Sequence, residues 1–146
     1  MPIFPGIFHN AILISAITAW FSAQLLKVIV NLLVIRKLNF SLFFGSGGFP
    51  SSHSAMVSAL ALGVGKYYGW DSPIFAVAAV FVIVVLYDAT GVRRAAGKQA
   101  EVLNRLVERL YHGPDLAQER LKELIGHTPF EVFGGVMVGI IVGLVV

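Results

Sequence analysis

The sequence contains no cysteine and very little charge. The absence of cysteine excludes a disulfide-stapled secreted domain. Only 13% of the 146 residues are charged, whereas an ordinary soluble domain carries about 25%. A soluble chain of this length could not cover its surface with so few charges. With 57% apolar residues, a disordered chain is excluded as well. There is no long basic stripe, and the net charge is only +3. Both argue against a nucleic-acid partner, which needs a track of cations along the phosphate backbone. The N-terminus lacks a basic segment and a small-residue cleavage site, so no signal peptide is expected. What remains is a small integral membrane protein, expected as one membrane domain over 1–146.

A spanning helix needs roughly 20 mostly apolar residues. Four segments qualify or nearly do: 12–35, 50–69, 73–88 and 129–146. The first is interrupted only by Gln24, Lys27 and Asn31. Between the third and fourth lies a polar helical connection, 89–127. In it Val92, Ala96, Gln99, Leu103, Leu106 and Leu110 recur at helical spacing, with charged residues filling most of the rest. Gly113-Pro114-Asp115 breaks this helix, and a second short helix is expected over 116–124. Such a hairpin is either a solvated connection or an interfacial cap on the membrane. The expected fold class is therefore all-α: a membrane bundle of about four transmembrane helices plus an amphipathic interfacial helix hairpin.

Small residues recur every fourth position, which lets helix backbones approach closely in lipid. The rows are Ala11, Ser15, Ala19, Ala23; then Ala55, Ala59, Gly63; then Gly135, Gly139, Gly143. They imply a tight bundle, a homodimer, or both.

Four alternating crossings bring the ends at Arg36, His53, Asp88 and His127 to one membrane face. Nine of the eleven basic residues fall there: Arg36, Lys37, Arg93, Arg94, Lys98, Arg105, Arg109, Arg120 and Lys122. The positive-inside rule places this face in the cytoplasm and both termini outside, in a multi-pass protein of the cell membrane.

That face holds two motifs. Gly47-Gly48-Phe49-Pro50-Ser51-Ser52-His53-Ser54 opens the second span. Its glycines let backbone approach a ligand. The following helix N-terminus favours an anion, and His53 titrates near neutral pH. A capped helix start with an interfacial His is the plainer reading. Gly126-His127-Thr128-Pro129-Phe130-Glu131 opens the fourth span. Thr128 and Glu131 fit a capping box with Pro129 at the first helical position. His127 and Glu131 are four apart, so the carboxylate could also hold the imidazole. Lys27, inside the first span, either faces a polar cavity or snorkels to the interface. Asp88, Arg93 and Arg94 lie where the third span emerges, where charges at a helix end are ordinary. Together these residues suit phosphoryl chemistry: one His attacks phosphorus, the other protonates the leaving oxygen, and cations stabilise the equatorial oxygens. No pair of His has the spacing of a zinc site, so neither metal nor cofactor is expected.

The segments GGFPSSHSA, YDATGVRRAAGKQAEVLN and LKELIGHTPFEVFGG resemble the divergent branch of the type 2 phosphatidic acid phosphatase family. That superfamily includes the vanadium haloperoxidases. It uses Lys-x6-Arg-Pro, Pro-Ser-Gly-His and Ser-Arg-x5-His-x3-Asp. The resemblance implies that His127 becomes phosphorylated, His53 is the general acid and Glu131 orients the nucleophile. It further implies that Ser51, Ser52 and the neighbouring N–H groups bind phosphate, with Lys27 and Arg36 standing for the first motif. The sequence departs from the pattern in several places. Eight residues separate Lys27 from Arg36, and Lys37 replaces the proline. Ser52 replaces the motif glycine, and Glu131 replaces Asp. Leu121 occupies the position of the third-motif Arg. Arg93, Arg94 and Lys122 are the candidates to take over its phosphate contact. Four spans are also fewer than the six-helix core usual for membrane members.

The resulting expectation is a membrane phosphatase, a metal-independent phosphoric monoester or pyrophosphate hydrolase acting on a lipid phosphate through a phosphohistidine. Its partners would be the lipid bilayer and the lipid phosphate substrate. The alternative is a non-catalytic lipid-phosphate binding or transport protein that keeps the anion site. A haloperoxidase with bound vanadate is weaker, and a purely structural subunit leaves the clustered His and Arg unexplained.

Overall fold

The computed structural model describes residues 6–36, 43, 47–110 and 126–146, and every regular element among them is helical. Helix α1 spans Ala11–Ile35, after a 3-10 turn at Ile7–His9. Asn10 caps it by accepting the Leu13 N–H at 3.0 Å. It ends at Arg36, which takes the left-handed conformation (φ 57°). Helix α2, Ser52–Tyr68, starts on a Ser51 cap. Helix α3, Pro73–Thr90, starts on a Ser72 cap with Pro73 in the first turn, where proline's missing N–H costs nothing. Helix α4, Val92–Leu110, follows after Gly91 alone. Helix α5, Pro129–Val145, carries the full Thr128/Glu131 capping box. The four apolar helices and the first arm of the amphipathic hairpin therefore stand where the hydropathy pattern puts them. The second arm, expected over 116–124, lies outside the described residues.

The packing is inverted relative to a soluble bundle. The apolar interior, among the described residues, is made of small side chains. Ala19 and Ala23 of α1 meet Ala55 and Ala59 of α2, with Val138 and Val142 of α5 against them. The largest fully buried side chains are only Val57, Pro50, Ser51 and Ser54. The large apolar residues point outward, among them Phe21 and Leu33 of α1, Val77, Ile83 and Val84 of α3, and Phe133 and Ile141 of α5. In water such a surface would be an association liability. In hydrocarbon it has no penalty, and close backbone packing provides the cohesion. The chain is a helical membrane protein.

The glycine row of α5 shows how close that packing is. A Cβ on Gly135 would lie 2.2 Å from the Ser51 carbonyl oxygen, and one on Gly139 would lie 2.3 Å from that of Ala55. The small-residue rows thus close the bundle within one chain. Helix α2 is its centre and packs against α1, α3 and α5.

Helix α4 packs only against α3 among the described elements. Gly97 and Asn104 are buried, whereas Val102, Leu103, Leu106 and Val107 remain exposed. Among the described residues this apolar face of α4 has no helix packed on it. The far end of the bundle carries exposed Tyr67, Tyr68 and Trp70, residue types that prefer the headgroup level. There Lys66 Nζ donates to the Gly143 carbonyl at 3.0 Å and ties α2 to the end of α5.

Candidate active site

Three backbone contacts bring the motifs together. The Ser51 N–H donates to the Glu131 carbonyl at 2.9 Å and joins the starts of α2 and α5. The His127 N–H donates to the Ala89 carbonyl at 3.1 Å and seats the imidazole beside the end of α3. Gly126 lies directly on the first turn of α4, where a Cβ would come within 2.2 Å of the Arg94 nitrogen. The N-termini of α2, α4 and α5 therefore converge. Each contributes the positive end of its dipole to one small region.

A cavity of about 340 Å³ opens in this region between α2 and α3. Its polar end is formed by His53, His127, Asp88 and Arg93, beside Gly47 and Gly126. Its apolar wall is Met56 and Val57 of α2 with Phe81, Val84 and Val85 of α3. Phe81 and Val84 also lie on the outer, lipid-facing side of α3. A mostly apolar pocket with a few convergent polar groups is the usual form of a small-molecule site.

His127 is buried, at 6% exposure. Its Nδ1 lies 3.3 Å from Glu131 Oε2, and the same oxygen accepts the Thr128 N–H at 2.8 Å. The capping role and the imidazole-holding role of Glu131 thus coexist on one carboxylate oxygen. A carboxylate can only accept, so Nδ1 carries the proton and Nε2 keeps its lone pair. Burial holds His127 below its ordinary value, and the Lys27 and Arg93 charges push the same way. The Glu131 hydrogen bond and charge oppose this without overcoming it. At neutral pH the imidazole is therefore the neutral, nucleophilic form.

Lys27 does not snorkel. It is 2% exposed within α1, and its stem packs against Gly48, where a Cβ would lie 3.3 Å from Lys27 Cδ. Gly48 has φ +84°, so glycine there serves both the turn and the close approach. Ser51 commits its groups to the scaffold. Its Oγ accepts from the Ser54 hydroxyl at 2.9 Å and from the Ser54 N–H at 3.4 Å. Ser52 is buried at the first position of α2.

Of the expected site residues, the structure brings His53, His127, Asp88 and Arg93 to one cavity, with Glu131 directly behind His127. Arg36 instead caps the end of α1, is exposed, and does not line the cavity. Arg94 contributes backbone to the Gly126 contact while its side chain is exposed. Lys122 lies outside the described residues.

The family model described as "Divergent PAP2 family" matches residues 8–142. The chain belongs to this divergent PAP2 family. It is 46% identical over 147 residues to a protein named "Uncharacterized membrane protein YuiD" of Bacillus subtilis (strain 168), with 93% of each chain covered. No solved structure matches.

One feature of this divergent PAP2 chain was invisible to pattern reading. Arg93 Nε donates to Asp88 Oδ2 at 2.6 Å. The two residues are five apart, so on a continuous helix they would point about 140° away from each other. Gly91 breaks the helix with φ −102° and ψ −81° and turns them together. The lone glycine between two helical patterns was the only sequence signal.

Proposed function

We propose that this protein is a membrane phosphohydrolase acting on a lipid phosphate or pyrophosphate through a phosphohistidine on His127. The observation that carries the reading is a cavity that joins a polar end, where His53, His127, Arg93 and Asp88 converge, to an apolar wall facing lipid. A lipid phosphate has the same two-part chemistry.

In the first step the His127 Nε2 lone pair attacks phosphorus. The N–P bond forms as the P–O bond to the lipid breaks, and His53 gives its proton to the leaving oxygen. Glu131 keeps the Nδ1 proton in place and stabilises the imidazolium character that develops. Arg93 and Lys27 supply positive charge beside the equatorial oxygens. In the second step water attacks phosphorus, its proton passes to His53, and the N–P bond breaks to release inorganic phosphate.

The decisive test is a phosphate-release screen over lipid monophosphates and pyrophosphates in detergent, with alkaline quenching to preserve phosphohistidine. The expected result is label on His127 during turnover. A second reading, a lipid-phosphate binder or transporter without chemistry, is favoured by the missing third-motif Arg. It predicts saturable binding with no phosphate release and no labelled His.

The mechanism fixes the sign of one pH dependence. His127 must be neutral to attack, so the rate falls as pH drops through its lowered value, on the acid side of 6.5. Glu131→Gln removes the negative charge that raises that value. The acid limb then moves to still lower pH while the maximal rate falls, by about 10–100-fold for loss of an orienting partner. An unmoved acid limb in the pH–rate profile would separate Glu131 from the nucleophile.

The basic face is assigned to the cytoplasm, with four crossings and both termini outside. The absence of native cysteine makes this directly measurable. In intact cells, Asp71→Cys is expected to react with a membrane-impermeant maleimide, and Lys98→Cys only after permeabilisation. The reverse pattern would invert the orientation.

A further inference from the structure

Among the described residues that line the cavity, Asp88 is the one carboxylate. A bare carboxylate there would repel a phosphate, so its presence needs a reason. Its Oδ2 accepts from Arg93 Nε at 2.6 Å. The guanidinium has five N–H donors in a planar fork. With Nε held by Asp88, both Nη groups remain for a second acceptor, the geometry that suits bidentate phosphate binding. The side chains of Arg93 and Asp88 are 54% and 37% exposed. An ion pair that open adds little to stability, so its consequence lies in where it puts the guanidinium. The pair spans Gly91, whose φ of −102° and ψ of −81° depart from helical values between α3 and α4. There a Cβ would lie 2.9 Å from the Tyr87 carbonyl oxygen.

We infer that Asp88 is a positioning residue that aims Arg93 at the phosphoryl group of the substrate, so that Arg93 does the work of the arginine missing from the third motif. The inference rests on the phosphohydrolase reading above. Asp88 orients the fork and keeps the local charge balanced when no substrate is bound. Once phosphate arrives, the Nη groups bind its oxygens while Nε stays on Asp88. Lysine cannot replace Arg93, because a single ammonium cannot serve both acceptors in fixed directions.

The sign of the coupling distinguishes positioning from simple stapling of α3 to α4. Arg93→Ala leaves the Asp88 carboxylate unpaired beside the phosphate, so it is expected to lower kcat/KM by about 10²–10³-fold. Asp88→Asn alone is expected to lower it by about 10-fold, mostly through KM, with weaker inhibition by inorganic phosphate and vanadate. The double variant Asp88→Asn/Arg93→Ala is expected to be several-fold more active than Arg93→Ala, because the repulsive charge is gone. Melting temperatures of all three should match the parent protein.

Additive losses in the double variant, or an Asp88→Asn protein with unchanged KM and phosphate inhibition, would overturn the inference while leaving the phosphohydrolase reading intact. A parent protein that binds phosphate and vanadate without hydrolysing lipid phosphates would overturn the catalytic reading alone. Binding weakened in Asp88→Asn then supports the positioning role, and unchanged binding overturns it. A parent protein that neither hydrolyses nor binds these anions would overturn both.

Discussion

Replacing His127 with alanine is expected to abolish phosphate release while leaving the bundle folded. The loss should be at least about 10³-fold, the scale on which an essential member of a nucleophile–base unit acts. The side chain is buried and touches Glu131. The segment itself is held by the backbone bonds Ser51–Glu131 and His127–Ala89, and alanine keeps both. Thermal unfolding in detergent should therefore move little, and phosphohistidine labelling should vanish. Normal turnover in this variant would eliminate the mechanism. Retained anion binding with lost turnover is the expected pair of results, because Arg93 and Lys27 remain.

The largest effect on stability is expected at Gly135. Its Cα sits against the Ser51 carbonyl, with the Ser54 side chain next to it, so any Cβ collides with backbone. Backbone cannot move aside as a flexible side chain can. Gly135→Leu should cost about 1–3 kcal/mol or more, and it should separate the starts of α2 and α5. Those starts carry His53 and Glu131, so activity and folding fail together. Met137→Leu is the matched control, since Met137 is exposed on the same helix. Equal melting temperatures for the two variants would show that α5 does not pack through its glycines.

Much of this arrangement was legible in the residues. The apolar runs marked the helices because a bilayer demands long uncharged segments, and the Thr128/Glu131 capping box marked the start of α5. Spacing alone allowed Glu131 both to cap α5 and to hold His127, and both contacts form. The small-residue rows announced close packing, but not against what. Only the contacts show that Gly135, Gly139 and Gly143 meet α2 of the same chain. Lys27 was ambiguous because a lysine inside a span can face a polar cavity or reach to the interface. The pull of Arg36 into the site came from the family pattern, whereas its left-handed backbone ends α1 and leaves the side chain exposed.

The low charge count by itself determined that this is a membrane chain, and helical spacing determined its elements, because both are local consequences of solvent and backbone. The tertiary structure alone decided which charges meet. Asp88 and Arg93 pair across the turn at Gly91, and Lys27 is buried with its stem against the turn at Gly48. Such encounters depend on the angle between elements, and no local pattern of residues carries that angle.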